Sequence, residues 1–175
     1  PDLLGWTPLH YAVNRLHYAD FKEFDLIEVV AAAPDTEIDA IDNSGLSPVF
    51  LAAQHGSTEV LDILERHGAL LARKDDHGFT LLMTAVAQRQ PSMVAHLVGK
   101  GVDINERLPS GGTALFIAIR SQSSDMVSTL IELGAGVRGN DQANEPIIFA
   151  AALPNEDIVG LLIKAGADVN AVNRK

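Results

Sequence analysis

A motif returns every 33 residues along most of this chain. Ser47–Ala53 reads SPVFLAA, Thr80–Val86 TLLMTAV, Thr113–Ile119 TALFIAI and Pro146–Ala152 PIIFAAA. A fuller version, TPLHYAV, occupies Thr7–Val13, 40 residues before the second. A fixed period constrains the fold more than composition does, because each unit is too small to bury its own apolar face and must stack on its neighbours. The chain is therefore read as an array, and its 175 residues count repeats rather than domains.

One unit, Asp75–Arg107, shows how each step is encoded. Asp75-Asp76-His77-Gly78 is turn chemistry, in which aspartate tolerates the corner and glycine supplies a positive φ. Thr80 is placed to cap a helix over Leu81–Gln88, where the small Thr84, Ala85 and Ala87 permit close stacking. Pro91-Ser92 opens a second helix, with Val94, Leu97 and Val98 at i, i+3, i+4 spacing as its buried face. Gly101 then ends it through a left-handed cap. The corresponding apolar sets elsewhere are Val60/Ile63/Leu64, Val127/Leu130/Ile131 and Val159/Leu162/Ile163, with Gly68, Gly134 and Gly166 as stops. The first unit supplies Ile27, Val30 and Ala31, and has Asp35 where the glycine would stand. The pattern is turn, helix, turn, helix, with no strand beyond a short hairpin.

These residues resemble the ankyrin repeat. Its D-x-x-G-x-T-P-L-H-x-A signature reads here as Asp2-Leu3-Leu4-Gly5-Trp6-Thr7-Pro8-Leu9-His10-Tyr11-Ala12. Its closing V-x-x-L-L…G-A-D-V-N reads as Val159 to Leu162-Ile163 and Gly166-Ala167-Asp168-Val169-Asn170. The resemblance covers the chain as five repeats, about 2–41, 42–74, 75–107, 108–140 and 141–172, with the start of a sixth at 173–175. It implies one all-α domain over 1–175, a solenoid of stacked helix-turn-helix units with short β-hairpin loops. Repeat sequence begins at once at Asp2, so the chain reads as a piece of something longer.

The departures carry the individuality. Only the first unit keeps the histidine of T-P-L-H; Phe50, Met83, Phe116 and Phe149 replace it, exchanging a hydrogen bond for apolar packing. Asn144 stands at the turn glycine of repeat five, Pro146 at its capping threonine, and one residue is missing around Leu153-Pro154-Asn155. The first unit exceeds the period by seven residues, which fall in His17–Glu23 after Leu16 and read as either a projecting loop or an inert insertion.

Charge limits the partners. The formal net charge is −10, and between Asp20 and Glu65 eleven acids face a single base, Lys22. From Arg66 onward acids and bases balance at eleven each. Nucleic acid is not expected, since phosphate binding needs a basic stripe. A basic segment is the natural complement of the first two repeats, unless those acids serve only to solvate outer helices. No apolar run approaches a membrane span, so no insertion is expected. Zero cysteines exclude disulfides and thiolate chemistry, and fit a reducing cytoplasmic or nuclear compartment. No nucleophile elbow, phosphate loop or metal set is present: His55 and His77 would need a third ligand, and His10 fits the family's capping role. No enzyme, no cofactor and no metal are expected.

The resemblance implies protein binding along a concave face made of hairpin tips and first helices. Transferred to this chain, the tips offer Trp6, Asn43, Leu46, Asp76, His77, Phe79 and Arg107, and the inner helices offer Gln54, His55, Gln88 and Arg120. The residue after the turn glycine reads Trp6, Leu46, Phe79, Gly112, Glu145. Its first three members form either an apolar stripe that anchors a partner or packing against neighbouring repeats. Arg107 and Arg120, in one repeat, are placed to pair with an acidic group. A rival reading makes the chain a regulatory or targeting domain docking within a larger enzyme or transporter.

Overall fold

The computed structural model describes residues 1–15, 22–139 and 145–172, with ten α-helices among them. They form two compact units, Pro1–His96 and Leu97–Lys175. In the first, α1 (Pro8–Asn14) and α2 (Lys22–Ala31) pair, followed by α3 (Pro48–His55), α4 (Thr58–Arg66), α5 (Leu81–Ala87) and the start of α6 (Pro91–Gly99). Within it α1 stacks on α3, α3 on α5, and α2 on α4. The second unit holds the end of α6 with α7 (Ala114–Arg120), α8 (Ser124–Glu132), α9 (Pro146–Ala151) and α10 (Glu156–Lys164); here α7 stacks on α9 and α8 on α10.

First helices are short and nearly all apolar because a helix packed on both sides needs no polar stripe. In α3 every residue from Pro48 to Ala53 is buried, and in α5 every residue from Leu81 to Val86. Second helices bury one face only: the expected Val60/Ile63/Leu64, Val94/Leu97 and Val127/Leu130 are all buried, and the departures lie along one edge. Counting back from Gly68, Gly101, Gly134 and Gly166, the eighth residue is Val60, Met93, Met126 or Ile158, and all four are buried. The fourth, Leu64, Leu97, Leu130 or Leu162, is fully buried. The third, expected inside as Val98, Ile131 and Ile163, is half-buried in the first two and 46% exposed at Ile163. Val159 is likewise only half-buried, so Ile158 takes its place in the core.

The turns follow the sequence closely. The stop glycines have positive φ, as do Gly5, Gly45, Gly78 and Gly111 in the tips. Between the two helices of a repeat, Gly56, Arg89 and Gln122 occupy equivalent places, all left-handed at φ 74°, 55° and 53°. Repeat five keeps the cap-to-cap spacing of repeat four, Glu145 to Asn155 against Thr113 to Ser123, and puts Pro154, whose ring fixes a negative φ, at this corner. Its missing residue therefore falls before α9, and Glu145 rather than the expected Pro146 caps that helix. The expected hairpins reduce to one isolated bridge, Lys74 to Thr80, among the described residues. Most of the His17–Glu23 insertion, and Asn144, lie outside the described residues.

Candidate interaction surface

The tip loops are built around an aspartate. Asp75 Oδ1 accepts from the His77 and Phe79 amides at 2.9 and 2.8 Å. Asp42 Oδ1 does the same for Ser44 and Leu46, and Asp2 Oδ1 for Leu4 and Trp6. A side chain that satisfies two amides of its own turn fixes the loop before any partner arrives. In repeat four Leu108 replaces that aspartate, and Arg107 Nη1 donates to the Gly111 carbonyl at 3.2 Å instead.

Successive tips in Pro1–His96 are tied together. The Asn43 amide donates to Leu4 O, and its side chain to Leu3 O. Trp6 Nε1 donates to Asp42 Oδ2 at 3.0 Å, while its ring stacks on His10 and meets Tyr11 edge-on. His10 is fully buried: its Nδ1 accepts from the Thr7 amide at 3.2 Å, so the proton lies on Nε2, which donates to Leu46 O at 3.1 Å. The one retained T-P-L-H histidine therefore joins the first repeat to the second. At the replaced positions Phe50 and Met83 are buried, and Phe116 packs on Phe149 with ring centroids 4.5 Å apart. Counted from the Glu145 cap, Ile148 and not the expected Phe149 holds that position in repeat five.

Trp6, Leu46 and Phe79 are half-buried, so the row has an exposed edge and a packed edge. Asn43, Asp76, His77, Gln88 and Arg120 are exposed, and Gln54, His55 and Arg107 half-buried. His55 lies 3.3 Å from Asn14 Oδ1 across α1 and α3. Arg107 lines a cleft with Arg138, a residue absent from the sequence-derived map, and not with Arg120.

On the outer helices Glu28 of α2 receives Arg66 and His67 of α4 at 3.1 and 2.9 Å, and His96 of α6 meets Asp62 of α4 at 2.8 Å. The His67 contact, with Arg66, holds the Glu28 carboxyl below its ordinary pKa. The Tyr11 hydroxyl lowers Asp2 likewise, and Tyr11 is raised in return. Part of the acidic excess is thus committed internally, while Asp25, Asp35, Glu37 and Glu59 remain exposed. Among the described residues no group of three or more His, Cys, Asp or Glu is placed to hold a metal, and no helix is long and apolar enough to cross a membrane.

Comparison with known proteins agrees with this geometry. The family described as "Ankyrin repeats (3 copies)" matches residues 16–108 and 83–173. The chain is 30% identical over 174 residues to "B-cell lymphoma 3 protein homolog" of Mus musculus, covering 95% of this chain and 38% of that protein. It is 31% identical over 141 residues to "Ankyrin repeat and SOCS box protein 6" of Pongo abelii, covering 74% and 34%. It is 27% identical over 173 residues to "Nuclear factor NF-kappa-B p105 subunit" of Gallus gallus, covering 95% and 17%. The chain thus spans well under half the length of these relatives. Stacked helix pairs, aspartate-braced tips and these matches agree: the chain belongs to the ankyrin-repeat family, whose repeats are protein-interaction modules.

Proposed function

We propose that this chain binds a partner protein through an extended segment laid across its hairpin tips and the ends of its first helices. The supporting observation is the contrast within each tip: the backbone is fixed by Asp2, Asp42 and Asp75, yet Asn43, Asp76 and His77 are exposed. Gln88 extends that polar set at the end of α5, and the open edges of Trp6, Leu46 and Phe79 add apolar contact within the same unit, Pro1–His96. A surface ordered in advance leaves little ordering entropy to oppose binding. Its work is recognition rather than catalysis. The exposed Asp25, Asp35, Glu37 and Glu59 favour a partner with basic residues near the first two repeats.

The test is selection of binders from a displayed peptide library, with amide exchange mapping of where they sit. The expected footprint covers the tips around Asn43 and His77 and the end of α5, and His77→Ala with Gln88→Ala weakens binding about tenfold or more. Footprints confined to the outer helices α2 and α4 sink the proposal. Binding that ignores those substitutions and vanishes between low and physiological salt makes the acidic surface the site instead.

A further inference from the structure

In the unit Leu97–Lys175, the tip before α7 and the loop after α8 enclose a cleft of about 260 Å3. Arg107 enters from one loop and Arg138 from the other, over a wall formed by Phe116 and Pro146, with Asn105 beside them. Each guanidinium is anchored through a single N–H to a backbone carbonyl: Arg107 Nη1 to Gly111 O and Arg138 Nε to Gly166 O, both at 3.2 Å. A carbonyl positions an arginine without neutralising it. Arginine carries five N–H donors and no acceptor, so each keeps most of its capacity free. Neither stands in an ion pair with a carboxylate among the described residues. Glu145, beside the cleft, is engaged by the Gly139 amide at 3.1 Å.

The remaining polar groups point the same way. Asn105 Oδ1 accepts from the Gly136 amide at 2.8 Å, leaving its NH2 as a donor. The Thr113 hydroxyl accepts from the Phe116 amide as the cap of α7. Apart from the second oxygen of Glu145, what stays unsatisfied is mostly donor, on two delocalised cations beside an apolar wall. Guanidinium forks match the two oxygens of a carboxylate, and the apolar wall limits competing water.

We infer that this cleft is a carboxylate-recognition site, taking a Glu or Asp side chain of the partner segment with a neighbouring apolar residue on Phe116 and Pro146. The inference deepens the interaction reading and rests on it. It also gives the two units opposite preferences, basic residues for the acidic repeats and an acidic residue here.

The experiment titrates the whole 15N-labelled chain with acetyl-Ala-Phe-Glu-Leu-Ala-amide, its Gln analogue and inorganic phosphate, at low salt. The Glu peptide is expected to shift the Gly111, Gly136 and Gly139 amides and the Arg107 and Arg138 Nε signals, at least about tenfold more tightly than the Gln peptide. Arg107→Gln and Arg138→Gln each weaken it about five- to tenfold, and Arg107→Lys partly, because charge persists without the fork. Lys164→Gln, an exposed cation of α10 outside the cleft, leaves it unchanged, and amide spectra confirm that each variant stays folded. Equal affinity for the Glu and Gln peptides overturns the inference, as do arginine variants that stay folded and bind as before. Phosphate shifting these signals while the Glu peptide does not makes this a small-anion site and overturns it too. If the cleft fails while library-selected peptides still footprint on the tips of Pro1–His96, only the cleft is lost.

Discussion

Ser47 offers a test of how closely the capping geometry controls stability. Ser47, Thr80 and Thr113 each begin a first helix at the place Thr7 holds in the T-P-L-H motif. Thr80 and Thr113 accept from the amides of Met83 and Phe116 through their hydroxyls at 3.2 and 3.3 Å. Ser47 does not: its carbonyl receives both the Phe50 and Leu51 amides, at 2.9 and 3.4 Å, and its Oγ is left buried with no hydrogen-bond partner. A working cap contributes about 1 kcal/mol. A buried hydroxyl without a partner costs about 1–3 kcal/mol. Only the second effect operates at Ser47, and removing one oxygen loses contacts worth roughly 0.5 kcal/mol. Ser47→Ala should therefore stabilise the chain by about 0.5–2 kcal/mol, since alanine adopts φ −98°, ψ 165° without strain. Thr80→Ala loses a made bond and a packed methyl group, and should cost about 1–2 kcal/mol. Urea unfolding followed by far-UV circular dichroism compares the midpoints directly. If Ser47→Ala lowers the midpoint as far as Thr80→Ala does, its hydroxyl is capping after all and the reasoning fails.

Three further outcomes follow from the same structure. A Cβ at Gly45, where φ is +77°, would lie 2.5 Å from Asp76 Oδ2, whereas one at Gly68 meets nothing within 4 Å. Gly45→Ala should thus destabilise by more than the roughly 1 kcal/mol that left-handed strain costs Gly68→Ala, and Asp76→Ala should close the gap in urea midpoints. Because the folded pKa of Glu28 is lowered, its stabilisation is present above its ordinary value of 4.5 and is lost as pH falls through the folded value. Glu28→Gln should lower the midpoint at neutral pH and converge with the parent in more acidic solution; a constant difference across that range refutes the pairing. Trp6→Phe removes the donor to Asp42 while keeping an aromatic ring, and should cost about 1 kcal/mol by circular dichroism.

The helices, their stops and their turns were legible because each depends on residues adjacent in sequence. One edge of the buried face of the second helices was not. Val98, Ile131 and Ile163 are apolar although they sit at the edge of the core, so i, i+3, i+4 spacing admits two faces. The left-handed glycine that closes each helix is the better reference point, since it fixes the helix against the following loop. With that reference, Met93 and Met126 fall into line with Val60, and the shortened fifth repeat supplies Ile158 rather than Val159. The Trp6 row was legible as large apolar residues in tips, but its half-burial depends on the Asp42 carboxylate brought over by the next repeat.

The Arg107–Arg138 cleft escaped a column-wise reading for a related reason. Laying repeats in register compares positions 33 residues apart, whereas the loops that follow the second helices join non-equivalent ones. Asp39 with Leu70 and Asn105 with Gly136 are both joined at a separation of 31. The loop after one second helix leans back on the loop before it, and this slant subtracts two residues from the period. Arg107 and Arg138 stand at that same offset. Scanned at 31 rather than 33, the sequence brings the two cations of neighbouring repeats to one cleft.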